Sequence, residues 1–242
     1  MLLMLTWAAG SVDAISYLGL GHVFTAMMTG NTVLLGLALA EGEFLAVLRS
    51  ILALAGFLAG AAVGALIVER DEKQEEWPPT VTRALALEGV VLGTFDAIWY
   101  VTLPARGAGV VHVLIVLSGL AMGVQAAAVR HLGVPGIATT YITGTITSLG
   151  VDLVGWLRSF ALPPPATTSA GGAAAVPAPN WERRVGLLAG VFSVYGLGAL
   201  AAALLQARWS ALATLSPFVA VALVVANASV RHRDRPALEP PK

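Results

Sequence analysis

The fold class that the sequence predicts is an all-α integral membrane protein, and three observations predict it. Of 242 residues, 57% are hydrophobic and only 12% are charged, where ordinary soluble domains carry about 25% charged residues. The mean hydropathy is +0.80. Apolar runs repeatedly reach the roughly 20 residues needed to cross a bilayer core. There is too little polar surface to solvate a globule, so the whole chain, 1–242, reads as a single transmembrane domain.

In order, long apolar segments cover residues 2–20, 44–68, 83–103, 108–129, 184–206 and 209–230, and each is long enough to span. The first has no basic region before it, so it is expected to be a mature helix and not a cleaved leader. Two more segments, 22–40 and 136–157, are apolar but interrupted by Thr, Gly and Asn. They read as interrupted or half-helix segments. Residues 69–79 are a solvated link, 162–180 a flexible Pro/Ala/Gly/Ser/Thr loop, and 231–242 a solvated tail. Trp77, Trp99, Tyr100, Trp156, Trp181 and Trp209 fall near segment ends, as an aromatic belt at the headgroups would.

The halves echo each other. One constant shift carries Leu18-Gly19 onto Leu132-Gly133, Thr25 onto Thr139, Thr29-Gly30 onto Thr143-Gly144 and Leu35-Gly36 onto Leu149-Gly150. Repeat one is 1–103 and repeat two 108–230. Gly56, Gly60 and Gly64 form a small-residue stripe, and Gly186 and Gly190 begin a similar one. If all eight segments cross, the Lys and Arg residues divide with little bias. If the two interrupted segments return to the side they left, only Arg49, Arg106 and Arg208 stand apart from the rest of the 14 basic residues. The second arrangement is preferred. It makes six full crossings, an inverted pair of repeats, and a multi-pass protein of the bacterial inner (plasma) membrane with both termini cytoplasmic.

The sharpest polar signal is the repeated Thr-Gly motif: Thr25, Thr29, Gly30, Asn31 and Thr32 in the first half, and Thr139, Thr140, Thr143, Gly144 and Thr145 in the second. Such steps can start a helix whose first amides remain unpaired, a positive dipole end that attracts anions or polar groups. Two of these ends entering from opposite faces would converge near the midplane, where inverted-repeat carriers bind substrate. The plain alternative is that hydroxyls and glycines only let helices pack closely. Gln125 joins the candidate binding set. Asp13 lies mid-segment, where an unpaired carboxylate is costly, and is a candidate for proton or cation coupling, as is Asp96. Glu88 and His112, also within or near apolar segments, are further candidates for a proton relay, with snorkelling to the interface the simpler expectation for Glu88.

Several classes are excluded or disfavoured. With 14 basic and 14 acidic residues there is no concentrated basic face for nucleic acid. With no cysteine there is no disulfide, thiolate catalysis or thiolate metal site. No His pair at metal spacing, nucleophile elbow or phosphate-cradling loop occurs, so no enzyme activity, metal or cofactor is expected.

Gly10, Val12, Asp13, Ala14 and Ser16, followed by Phe24, Thr25, Met28, Thr29, Gly30, Asn31, Thr32 and Val33, resemble the YoaK family (domain of unknown function 1275) of bacterial multi-helix membrane proteins. The resemblance continues through Gly56-Phe57, Gly60, Met122-Gly123, Gln125, Thr139-Thr140 and Thr143-Gly144-Thr145, with Ala126 where the family commonly has Asn. It implies an inner-membrane protein of unassigned activity. The interrupted segments also look like the crossed segments of uracil and sulfate permeases, which do cross the membrane. The reading that results is a small transporter or channel for a small polar or anionic solute, with membrane lipid and a second copy of the chain as partners. The alternative is a non-transporting membrane assembly that associates through its glycine stripes.

Overall fold

A computed structural model describes residues 1–69, 77–103, 106–134, 139–140, 142–161 and 180–233. Helices account for nearly all of them: α1 Leu2–Gly19, α2 Met28–Glu41, α3 Phe44–Val68, α4 Pro79–Val101, α5 Ala108–His131, α6 Ile142–Ala161, α7 Trp181–Arg208, α8 Ser210–Ala213 and α9 Leu215–Arg233. Six stretches are long and apolar enough to cross a membrane: α1, α3, α4, α5, α7 and the α8–α9 unit. These are the six expected spans. The start of the expected tail is helical, since α9 runs to Arg233, and residues 162–179 of the expected loop lie outside the described residues.

Close backbone approach sets the helix directions. Gly10 of α1 lies against the Tyr195 carbonyl of α7, and Gly198 of α7 against the Trp7 carbonyl, while Gly19 is near the Gln206 side chain. Across Leu3–Gly190, Gly10–Tyr195 and Gly19–Gln206 the residue numbers rise together along the two helices, so α1 and α7 run the same way. Gly56, Gly60 and Gly64 of α3 meet the backbone of Val116, Leu120 and Val124 on α5, so α3 and α5 are parallel as well. Gly21, just past α1, faces the Arg49 guanidinium near the start of α3, which makes α1 and α3 antiparallel.

The small-residue stripe is therefore spent inside the subunit. Nothing lies within 4 Å of a Cβ placed on Gly186, and only Leu3, at 3.8 Å, near Gly190. The close-contact glycine of the second half is Gly198, not that pair. The contacts recur in register: one shift carries Trp7 and Gly10 onto Leu120 and Gly123, and another carries Phe57 and Gly60 onto Tyr195 and Gly198. Gly123 duly sits against the Phe57 carbonyl and Gly60 against that of Leu120.

Between α1 and α3 the chain doubles back. Gly21 and His22 have positive φ angles of 89° and 64°, which reverse the chain after α1 and send residues 23–27 back along it. Their amides reach Asp13, six residues before the end of α1 and so about 9 Å back along its axis. With 14 residues, α2 is about 21 Å long, too short to span the roughly 30 Å core. Gly42 and Glu43 then join it to α3 at the end of the bundle it left. In the second half, α6 packs on α7, with Gly155 against Trp181 and Asp152 paired to Arg184 at 2.9 Å. Since α5 ends and α7 begins at the same end of the bundle, the α2 and α6 segments each lie between helices that meet at one end, unlike the crossed segments of the permeases.

Trp99 departs from the aromatic belt. It is completely buried, donates to the Ser210 carbonyl at 3.0 Å, stacks on Phe95 and is covered by the Arg106 guanidinium at 3.4 Å. Tyr100 and Trp209 are exposed, as headgroup anchors would be.

Because the α3–α5 and α1–α7 contacts are backbone on backbone, Gly60→Leu and Gly198→Leu should each destabilise the protein by about 1–3 kcal/mol or more. Gly36→Leu, where a Cβ meets nothing within 4 Å, should be tolerated. Thermal unfolding in detergent, followed by fluorescence, reads the difference.

Candidate functional site

Backbone without helical hydrogen bonds survives at membrane depth only where protein or a wet cavity satisfies it. Across residues 24–27 that task falls to two side chains. The Asp13 Oδ1 accepts from the amides of Thr25 at 2.9 Å, Ala26 at 2.7 Å and Met27 at 3.3 Å, and its Oδ2 accepts from the Tyr195 hydroxyl of α7. Asn31, one turn into α2, accepts from the Phe24 amide at 2.9 Å and donates to the Phe24 carbonyl, pairing with that peptide as a strand neighbour would. Thr25 shares its hydroxyl with Ser16 and Ser118, both at 2.7 Å, which ties the break to α1 and α5. Gly30 is needed locally, because a Cβ there would meet the Phe24 ring at 2.9 Å and the Met27 methyl at 3.0 Å.

Four donors and no acceptor surround the Asp13 carboxylate, an arrangement suited to the ionised form, which only accepts. Its charge also lies at the positive end of α2. That end does not offer the break's amides to a guest, since the carboxylate already holds three of them. Asp13 is 4% exposed and, with Tyr195, reaches a cleft of about 430 Å³ whose walls include Tyr17, Phe24, Met27 and Leu200. In this cleft the break, α1 and α7 meet.

The second break has a simpler partner. Gln125 on α5 donates to the Thr139 hydroxyl at 2.8 Å and to the Leu5 carbonyl of α1 at 3.1 Å, while its own carbonyl oxygen is buried without a partner among the described residues. Thr145 is buried as well. Ala126, the counterpart of Asp13, carries no polar group. A second cleft of about 670 Å³ holds Phe57, Ala61, Ala65, Ala126, Ala127 and Arg130. The shifts that superpose the glycine contacts carry Tyr195, Ala199, Ala203, Asp13, Ala14 and Tyr17 onto these six positions. The two clefts are therefore equivalent in place and opposite in chemistry.

The two breaks do not face each other. Thr25 is level with Asp13 and Thr139 with Leu5, eight residues apart on α1 and so about 12 Å apart along it. Buried Ala8, Ala9 and Val12 of α1, with Ala121 and Met122 of α5, fill the interval. Thr29, Thr32 and Thr143 are exposed, and the Thr32 hydroxyl returns to its own helix at the Met28 carbonyl. Thr140 and Gly144 are partly buried. Asp96 stands apart, beside the Thr214 hydroxyl between α8 and α9. Among the described residues no group of His, Cys, Asp or Glu could hold a metal ion.

Tyr195, Ser16 and Ser118 were not among the sequence candidates. The only local signal for Tyr195 is a lone phenol in the middle of an apolar run.

A family model described as a protein of unknown function (DUF1275) matches residues 1–227. The UPF0700 transmembrane protein YoaK of Bacillus subtilis (strain 168) is 45% identical over 157 residues, which cover 65% of this chain and 68% of that protein. No solved structure matches.

If Asp13 holds the break, Asp13→Ala leaves three amides unsatisfied and should cost about 3 kcal/mol or more, and Tyr195→Phe about 1.5–3 kcal/mol. The absence of native cysteine permits a clean reporter. Ala26→Cys, at a site 2% exposed, should react slowly with a maleimide in the otherwise native chain and at least tenfold faster beside Asp13→Ala. Equal rates would mean that the carboxylate does not hold the segment.

Proposed function

This chain belongs to the DUF1275 family of proteins of unknown function, and from that premise we propose that it is a small membrane transporter for a small polar solute, built as an inverted pair of repeats. The solute is handled at the Asp13–Tyr195 cleft. The observation that carries the reading is a carboxylate and a phenol on the floor of an otherwise apolar cleft, holding a break in the chain at membrane depth. A solute that hydrogen-bonds to Asp13 or Tyr195 competes with the break's amides. Its binding is thereby linked to the position of α2, the kind of differential contact that a conformational cycle requires. The internal carboxylate disfavours an anionic solute at this break and favours a neutral or cationic one.

The inverted relation is supported by the recurrent glycine contacts and by the paired clefts, which lie toward opposite ends of the bundle. The basic residues support placement in the inner membrane with cytoplasmic termini. Arg49, Arg106 and Arg208 lie at one end, whereas Arg83, Arg130, Arg158, Arg183, Arg184 and Arg231 lie with the termini at the other. A homodimer belongs to the same reading, because one 242-residue subunit encloses little protected volume. The competing assembly module is disfavoured, since Gly56, Gly60 and Gly64, its expected contact surface, are buried within the subunit.

The test is solid-supported-membrane current from proteoliposomes challenged with a panel of amino acids, amines, ureas and monocarboxylates. At least one neutral or cationic solute should evoke a current that falls tenfold or more in Asp13→Asn and Tyr195→Phe and is unchanged in Thr29→Val and Thr143→Val. Currents indifferent to both Asp13 and Tyr195 would remove the site. No current from any solute would favour the assembly.

A further inference from the structure

The α4 helix carries a carboxyl group that the Asp13 cleft does not use. Glu88 is completely buried, and neither carboxyl oxygen has a hydrogen-bond partner among the described residues. It lies three residues from Leu85 and four from Leu92, so the three share one face of α4. Leu85 and Leu92 pack into the buried cluster that joins α1, α5 and α9, with Ala9, Met122 and Val221 among its members. The side chain therefore turns toward the bundle interior and does not snorkel, contrary to the expectation from its distance to the helix end.

The ionisable groups on the surrounding helices are engaged or lie elsewhere. On α5, Arg130 and His131 are at one end and His112 near the other; on α9, Arg231 and His232 are terminal; on α3, Arg49 is by Gly21. Asp13 on α1 is held by its own four donors. On α4 itself, Arg83 is exposed and Asp96 is beside Thr214. None reaches hydrogen-bonding distance of Glu88.

An ionised carboxylate so placed would keep its full desolvation penalty with nothing to offset it, whereas a bound proton removes the charge. We propose that Glu88 is a proton-binding site at the centre of the bundle, neutral in this conformation and exchanging its proton when α4 shifts against its neighbours. The ligand is the proton itself. Asp13 and Glu88 thus differ in their surroundings: one carboxyl is met by four donors, and the other is surrounded by hydrocarbon and retains a proton. The coupling of that proton to solute movement rests on the carrier reading above, but the site does not.

The full chain in lipid nanodiscs supplies the test. Infrared spectra at neutral pH should show a protonated-carboxyl band in the wild type that is lost in Glu88→Gln and retained in Asp13→Asn. Dicyclohexylcarbodiimide, which modifies protonated carboxyls in apolar surroundings, should label the Glu88 peptide, with labelling falling tenfold or more as the pH is raised. Glutamine has the shape of the neutral acid, so the variant should melt at the wild-type temperature; if it fails to fold, the pH-dependent labelling of the wild type decides. Identical carboxyl bands in wild type and Glu88→Gln, or no pH-dependent label at Glu88 where the variant does not fold, would overturn the site. A band lost in Glu88→Gln with no solute current in either protein supports the site and counts against the carrier.

Discussion

Three amide groups converging on the Asp13 carboxylate make the rest of this structure possible. A chain that leaves its helix inside lipid exposes donors that nothing in the hydrocarbon can satisfy. Here the donors of Thr25, Ala26 and Met27 are collected by one side chain from the preceding helix, and Asn31 takes both polar groups of Phe24. With those groups satisfied, a helix can begin at Met28 in mid-membrane. Without them the cheapest arrangement for the same residues would be a longer α1, and there would be no break, no cleft and no reason for Tyr195 to point inward.

The glycine contacts supply the complementary constraint. By letting α1 meet α7 and α3 meet α5 at backbone distance, Gly10, Gly198, Gly60 and Gly123 assemble two compact parallel pairs. Each pair takes one helix from each half of the chain. The halves are consequently interleaved, and neither could form its glycine contact without the other. The Tyr195–Asp13 hydrogen bond is one product of that interleaving, since it joins residues 182 positions apart.

The six spans could be read from the sequence because lipid imposes a length and a polarity on each crossing, and both are properties of a local run. The breaks were legible for the same reason, since Thr25, Gly30 and Asn31 interrupt an apolar stretch, whereas the reversal at Gly21 and His22 was not. What the sequence did not reveal is how side chains meet across the bundle. Hydropathy measures how far Glu88 lies from the end of α4 but not which way it faces, and the face decided its environment. Four-residue spacing marked Gly186 and Gly190 as a stripe, whereas contact belongs to Gly198. Trp99 looked like an interfacial anchor from its position near a helix end, yet its indole is covered by Arg106 and bound to Ser210. The meeting of the two breaks was inferred from symmetry of sequence, and the packed layer of Ala9, Val12 and Met122 between them has no sequence pattern of its own.

The contrast between the two clefts bears on how such a molecule could work. Their positions correspond residue for residue, but where one has Asp13 and Tyr195 the other has Ala126 and Phe57, and where one has Tyr17 at its wall the other has Arg130. Had both clefts kept the polar pair, two latched breaks would resist movement equally, and two buried carboxylates would have to be held in a small bundle. With one polar pair, only the α2 break is held by a carboxyl group, and on the carrier reading a change at that group would loosen one end of the bundle while Gln125 holds the other through neutral hydrogen bonds. On the carrier reading, symmetric packing with asymmetric chemistry would give the fold a stationary side and a responsive side, with the responsive side next to the cleft that Asp13 lines.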